Sequence, residues 1–270
     1  MGKDTCRGLT ESNQTAKQTA ADFSKKFKAG IVGDPEFQKI KHAYPYFGFV
    51  RCVVEDSTFL MFSANDDVVA WHYFWLGNDS YEADVVSLWL EHAKTARTIL
   101  DIGAYTGLMS IIAALNNENA IIHAFEPMPR TFERMWINLK INKLASRVQP
   151  HNVAASESSG PEEIYLYREP NFLGTGNSIH LKTHVEAKGK VRIEKNTVDS
   201  YGLTDVDLVK IDTEGHELQV LRGMQNILQN DKPTLVVEVW RHEQEELLDF
   251  LDQFGYKKEQ LQGMNWLFHQ

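Results

Sequence analysis

The sequence predicts a doubly wound α/β domain built on a mostly parallel sheet. Three observations carry this. From residue 97 onward, short apolar runs alternate with amphipathic stretches of helical length. The first run ends in an Asp followed by two glycines four positions apart. The last two apolar runs are separated by a short turn only, which predicts an antiparallel edge.

Taken in order, RTILDI (97–102) is a buried-strand pattern and TGLMSIIAALNN (106–117) a helix. AIIHAF (120–125) is a strand, RTFERMWINLKINK (130–143) a helix, and RVQPHNVA (147–154) a third strand. DVDLVKI (205–211) is a strand, HELQVLRGMQNILQN (216–230) one helix, and PTLVVEV (233–239) a strand. HEQEELLDFLDQF (242–254) is a helix, and YKKEQL and NWLFHQ are the closing strands. Between Ala155 and Asp205 the alternation breaks. EEIYLYR and KVRIEKN read as strands around a polar loop, giving an inserted loop over 156–200. Loops of that length are often functional.

Residues 1–45 read as a polar N-terminal extension, mobile or loosely docked. Residues 46–96 read as a hairpin, FGFVRCVVEDSTFLMF, and a helix, YEADVVSLWLEHAK, packing on a core of residues 97–270. The aromatic run Trp71, His72, Tyr73, Phe74, Trp75 reads first as a core strand and second as a surface for stacking on adenine or a sugar.

Composition narrows the function. The 270 residues are 43% hydrophobic and 24% charged, enough to build a packed core. A net charge of −9 argues against a nucleic-acid partner, which requires clustered cations. Two cysteines, one in the polar tail, argue against a disulfide framework and for a cytoplasmic protein. No apolar run reaches the roughly 20 residues of a membrane span. The opening MGKDTC misses a myristoylation signal, because Cys6 stands where Ser or Thr is expected.

In an open parallel sheet, ligands bind beyond the carboxyl ends of the strands. Asp101, Gly103 and Gly107 occupy that position after the first strand, and Glu126 lies at the tip of the second. The Gly-x-x-x-Gly spacing is neither the pyrophosphate fingerprint nor a P-loop. An acidic residue at the second tip suits ribose hydroxyls. The pair therefore indicates a ribose-bearing ligand without a pyrophosphate clamp, and S-adenosylmethionine meets that description, with Asp101 near its ammonium. Either acidic residue alone has a plain structural reading, a helix cap or a solvated side chain; both together favour the cofactor.

KIDTEGHE (210–217) ends the fourth core strand, where an acceptor would lie. Asp212 is the first candidate for base or acceptor anchor, with Glu214, His216 and Glu238 as further catalytic candidates. Glu214 and Glu217 also suit a helix N-terminus as plain dipole partners. Lys210 reads as an ion-pair partner. Asp212, Glu214, Glu217 and Glu238 together would suit a divalent cation, a possibility not favoured, so no metal site is assigned. Asn177, Ser178, His180 and His184 lie on the inserted loop as candidate acceptor contacts.

In this order, ILDIGAYTG, HAFEPMPRTFERMWINLKIN, NVAAS, TVDSY, LVKIDTEGHELQVLRGM and PTLVVEVW resemble the FkbM-type S-adenosylmethionine-dependent methyltransferases, over roughly residues 70–240. The resemblance implies a class I methyltransferase Rossmann-like fold and methyl transfer to a hydroxyl oxygen of a carbohydrate or small metabolite. It implies that Asp101, Gly103, Ala104, Tyr105 and Gly107 line the methionine moiety. Glu126 would hold the ribose, Pro127 would be a further cofactor contact, and Asn152, Val153 and Ala154 would flank the adenine. Asp212 would border both cofactor and acceptor. Tyr81 and Glu82 resemble a Tyr-Glu pair placed near the cofactor. The family usually has Asn where Tyr105 stands. Two rival readings are another acceptor class, a base or an amine, and a non-catalytic S-adenosylmethionine-binding module.

Overall fold

The structure is a computed structural model, which describes residues 2–23, 35–167, 172–173, 176–180 and 186–270. The chain divides into two compact units, Met1–Ala83 and Asp84–Gln270.

The first unit holds α1 (Gly2–Phe23), α2 (Pro35–Ala43) and an antiparallel hairpin of β1 (Phe47–Val54) and β2 (Ser57–Ala64). It ends in α3 (Val68–Trp71), continued by a wider π-helical turn over His72–Leu76. The aromatic run is therefore helical, not the core strand read from the sequence. Asp67 starts it: its carboxylate accepts from the Ala70 N–H at 3.1 Å, the N-cap pattern. Trp71, Tyr73 and Trp75 are buried, and Trp75 meets Phe23 and Phe37 edge-on at centroid distances of 6.0 and 6.2 Å. Burial of alternate residues imitates a strand, which is why periodicity misread the segment.

The second unit opens with α4 (Ala83–Ala93) and contains a seven-stranded sheet. Its strands are β3 (Thr98–Ile102), β4 (Ile121–Phe125), β5 (Val148–His151), β9 (Val206–Ile211), β10 (Thr234–Glu238), β11 (Lys257–Gln260) and β12 (Asn265–His269). They lie in the order β11-β12-β10-β9-β3-β4-β5. The neighbours from β10 to β5 are parallel, and β12 is antiparallel to both β10 and β11. The topology reverses direction between β3 and β9, which is the switch point where ligands bind. This is the doubly wound sheet with an antiparallel C-terminal edge that the sequence predicts.

Every residue of β3 is buried, as expected of a strand covered on both faces. Helix α5 (Leu108–Asn116) is apolar nearly all round, and seven of its residues are buried. Helix α6 (Pro129–Ile141) buries Met135, Asn138 and Leu139 and exposes Glu133, Ile137 and Lys140. One cluster around Leu100, Val209, Ile211, Leu221, Val237 and Phe268 ties β3, β9 and β10 to the helices that follow. Each such side chain contributes about 1.5–3 kcal/mol by leaving water.

Two element predictions need correction. The third strand stops at His151; Ala154–Ala155 form β6 in a separate sheet with β7 (Gly160–Leu166) and β8 (Gly189–Asn196). Residues 216–230 form two helices, α7 (Glu217–Arg222) and α8 (Gln225–Asn230). They break at Gly223, where a Cβ would lie 1.9 Å from the Ser156 carbonyl oxygen. The chain bends there to let the insertion approach. α9 (Gln244–Asp252) precedes the edge pair.

Candidate active site

The glycine loop follows β3 directly. Gly103 has φ +81°, and a Cβ on it would lie 1.8 Å from the Asp212 carbonyl oxygen, so only glycine fits. The N–H groups of Gly103 and Ala104 both donate to the Phe125 carbonyl, at 3.0 and 2.9 Å, and Asp212 N–H donates to Ile102 at 3.0 Å. The tips of β3, β4 and β9 are thereby locked together. Gly107, at φ +93°, turns the chain into α5 against Met135. Asn138 of α6, which the sequence does not single out by role, donates from its amide to the Thr106 carbonyl at 2.9 Å and is buried.

Asp101 is buried and accepts from both the N–H and hydroxyl of Ser110, at 3.0 and 2.6 Å. Burial raises its carboxyl above the usual range, and Lys210, its register neighbour on β9, opposes the rise. Part of Asp101 thus serves α5, as the cap reading anticipated.

Glu126 follows β4 and is also buried. One oxygen accepts from Tyr105 N–H at 3.1 Å and the other from Met128 N–H at 2.8 Å. Burial pushes it up to about 8; those N–H donors oppose the rise, and the acidic neighbours Asp101 and Asp212 add to it. Each oxygen keeps acceptor capacity beyond its one backbone bond. Two ligand hydroxyls would fill that capacity and favour the ionised form. Asn152 donates to the carbonyls of Glu126 and Pro127 at 2.9 and 3.0 Å, so its amide braces this strand tip. Val153 and Ala154 follow where the chain leaves the main sheet.

Tyr105 has the left-handed φ of +49°. Its N–H faces Glu126, and its hydroxyl donates to the Leu173 carbonyl on the inserted loop at 2.5 Å. The residue that departs from the family pattern thus joins the glycine loop to the insertion.

At the β9 tip, Lys210 is buried and pairs with Asp212 at 2.6 Å. Glu238 at the β10 tip is held well above the carboxylate range by burial and then by Asp212 and Glu214; Trp240 donates to it at 3.1 Å. Glu214 has φ +59°, and its carbonyl accepts from the Ser178 hydroxyl at 2.8 Å. Glu217 is fully buried, and one oxygen accepts from Thr213 N–H, Thr213 hydroxyl and Gly215 N–H, at 2.8, 3.0 and 3.1 Å. It braces the loop from within. Among the described residues no group of three His, Cys, Asp or Glu side chains is arranged to hold a metal ion.

His216, read from the sequence as either a plain surface residue or a base, is buried. Its Nε2 meets the Ser156 hydroxyl at 3.0 Å and its Nδ1 meets His180 Nε2 at 3.0 Å. Burial, and then His180 and Lys195, lower it to about 4. Ser178 ties the insertion to the loop after β9 through the Glu214 carbonyl, and Asn177 accepts from the Tyr167 N–H at 3.2 Å within the insertion. His184 lies outside the described residues. Tyr81 and Glu82 belong to the first unit, where Tyr81 meets the His72 ring edge-on at 5.2 Å.

A doubly wound sheet with a glycine loop at one strand tip and a buried carboxylate at the next is the arrangement of a class I methyltransferase domain. The Methyltransferase FkbM domain model matches residues 101–258, more than half of the chain, and the chain belongs to that family. It is 32% identical over 149 residues to the hexuronic acid methyltransferase AglP of Haloferax volcanii, covering 55% of this chain and 59% of that one. It is 27% identical over 172 residues to the methyltransferase sdnD of Sordaria araneosa, covering 53% and 66%. It is 22% identical over 169 residues to the 31-O-demethyl-FK506 methyltransferase FkbM of Streptomyces tacrolimicus, covering 51% and 64%. The chain thus spans somewhat under two thirds of the curated relatives it matches.

Proposed function

We propose that this chain is an S-adenosylmethionine-dependent O-methyltransferase acting on a hydroxyl of a carbohydrate or small metabolite. Residues 97–270 form the cofactor-binding core, and the 156–200 insertion contributes the acceptor side. The observation that carries the reading is Glu126, a buried carboxylate at the second strand tip beside a glycine loop whose position 103 leaves no room for a Cβ. Its remaining acceptor capacity suits the two hydroxyls of a ribose.

When bound, the cofactor supplies an electrophilic methyl group on a sulfonium sulfur. The chain's part is to align and polarise. Gly103 to Gly107 let the ligand approach the backbone, and Asp101 presents negative charge toward the amino-acid end. Pro127, Asn152, Val153 and Ala154 border the adenine side. Asp212, charged beside Lys210, borders the cofactor and anchors an acceptor hydroxyl. Glu238, its carboxyl raised by burial and its acidic neighbours, would in its protonated form donate a second hydrogen bond. Glu214 adds a carboxylate at the rim. Alignment of this kind supplies much of the rate of an in-line displacement.

A hexuronic acid is the first acceptor to try, because the relative from Haloferax volcanii is named for that substrate. The test is calorimetry with S-adenosylhomocysteine on wild type and Glu126→Ala, followed by methyl transfer to glucuronic acid, methyl glucuronide and a panel of sugars and hydroxylated metabolites. Micromolar binding that weakens at least 100-fold in the variant supports the reading, since about 3 kcal/mol is what two charge-assisted hydrogen bonds would carry. Folded wild type that binds no cofactor would sink it.

A further inference from the structure

We infer that His180 of the insertion is the general base of the reaction, with His216 and Ser156 as the residues that orient it. The inference rests on the methyltransferase reading above. Three side chains from separate segments form one hydrogen-bonded line. Ser156 follows β6 and is buried, its N–H held by the Asn196 carbonyl at 2.9 Å. His216 immediately precedes α7 and is buried. His180 follows Ser178 and is exposed. The contacts are 3.0 Å from Ser156 Oγ to His216 Nε2 and 3.0 Å from His216 Nδ1 to His180 Nε2.

The outer end is fixed over the strand tips. Ser178 Oγ donates to the Glu214 carbonyl at 2.8 Å and accepts from His180 N–H at 3.1 Å. Ser178 and Tyr165 also exchange backbone bonds, at 3.3 and 2.8 Å. An exposed imidazole is thus held beside the loop that carries Asp212 and Glu214.

The buried His216 has two filled nitrogens and a strong preference for neutrality. In the tautomer this role requires, His216 donates Nε2–H to Ser156 and its Nδ1 accepts Nε2–H from His180. His180 then carries its lone pair on Nδ1, which has no hydrogen-bond partner among the described residues. This is the arrangement of an activated base, in which a second group fixes the tautomer of the one that moves the proton. Charges around the pair come from Glu162 of β7, paired with Lys195 of β8 at 2.9 Å, and from His242 after β10. Burial and His242 lower His180 from its ordinary value, so it is unprotonated and competent at neutral pH.

In the step, the acceptor O–H proton passes to His180 Nδ1 as the acceptor oxygen bonds to the methyl carbon. The carbon–sulfur bond breaks with its electron pair left on sulfur, giving a neutral thioether. The imidazolium loses its proton to solvent.

The test has two arms on the full chain. Long-range imidazole 15N NMR reports tautomers without any ligand. Protonated Nε2 and free Nδ1 on His180, with His216 neutral from pH 5 to 9, are expected. A proton resident on His180 Nδ1 at pH 7.5 would overturn the assignment. The kinetic arm uses whichever hydroxyl compound wild type methylates. His180→Ala should lower kcat about 10²–10⁴-fold and remove the acid limb of its pH profile. It should keep S-adenosylhomocysteine affinity within twofold and regain rate with added imidazole. His216→Gln should lower kcat about tenfold and keep that limb. A His180→Ala enzyme with the wild-type profile, or one that imidazole cannot restore, refutes His180 as base while leaving methyl transfer standing. Wild type that binds no cofactor and transfers no methyl defeats both readings.

Discussion

Replacing Gly103 by Ala should unlatch three strand tips at once. The added Cβ would start 1.8 Å from the Asp212 carbonyl oxygen, and the obstructing atom is backbone. Reaching even the 3.0 Å limit of real contacts requires a displacement of about 1.2 Å by simple difference. That is enough to break the 3.0 Å bond from Asp212 N–H to Ile102 and strain the two bonds to Phe125. Forcing an L-residue to φ +81° adds about 1–2 kcal/mol. One to two buried hydrogen bonds add about 1–3 kcal/mol. The sum, about 2–5 kcal/mol, corresponds to a Tm lower by roughly 4–20 °C for a unit of this size. Gly263→Ala is the control. It has φ +70° but nothing within 4 Å of the added carbon, so only the conformational part applies, about 1–2 kcal/mol. Thermal unfolding followed by circular dichroism compares them. Equal Tm losses would show that the approach of Asp212 is not what reserves position 103 for glycine.

The other predictions concern ligand and loop. With Glu126 at about 8, roughly nine tenths of it is protonated at pH 7. Ribose hydroxyls favour the carboxylate, so binding of S-adenosylhomocysteine should release close to one proton more than in Glu126→Gln, whose ligand amine titrates identically. Affinity should rise with pH and level off above 8. Calorimetry in two buffers of different ionisation enthalpy measures the release, and equal values for both proteins would refute it. Asn138→Ala leaves the buried Thr106 carbonyl without its amide donor. It should cost about 1–3 kcal/mol in urea unfolding and weaken cofactor binding several-fold; loss of stability with intact affinity would separate α6 from the site. Methyl transfer should be unchanged by EDTA, because the strand-tip carboxylates are engaged with Lys210, Trp240 and backbone N–H groups. Loss of activity in EDTA that Mg²⁺ restores would reverse that conclusion. Tyr105→Phe removes the hydroxyl bond to Leu173 but not the backbone bond to Glu126. Acceptor KM should rise while S-adenosylhomocysteine affinity stays within twofold, as read by initial rates and calorimetry.

The sequence by itself determined the alternation of strands and helices from residue 97, the antiparallel edge, and the glycine loop with an acidic residue at the next strand tip. These are local signals: periodicity, β-branched runs and residues special to tight turns, each readable within a few positions. Tertiary structure decided what depends on residues distant in the chain. Gly223 breaks a helix because Ser156, far upstream, needs the space of a Cβ. The aromatic run is helical because Asp67 caps it and a hydrophobic cluster including Phe23 and Phe37 receives its rings. The Asp67 cap was present in the sequence, but alternate burial imitated a strand. His216, between two glutamates, read equally as a surface residue and as a base. Only its meeting with Ser156, at the start of the insertion, and His180, in its middle, gave the proton-accepting end to His180. Spacing reveals which side chains share a local turn. Burial and hydrogen-bond partners set which nitrogen or oxygen is left to do chemistry, and those come from the fold.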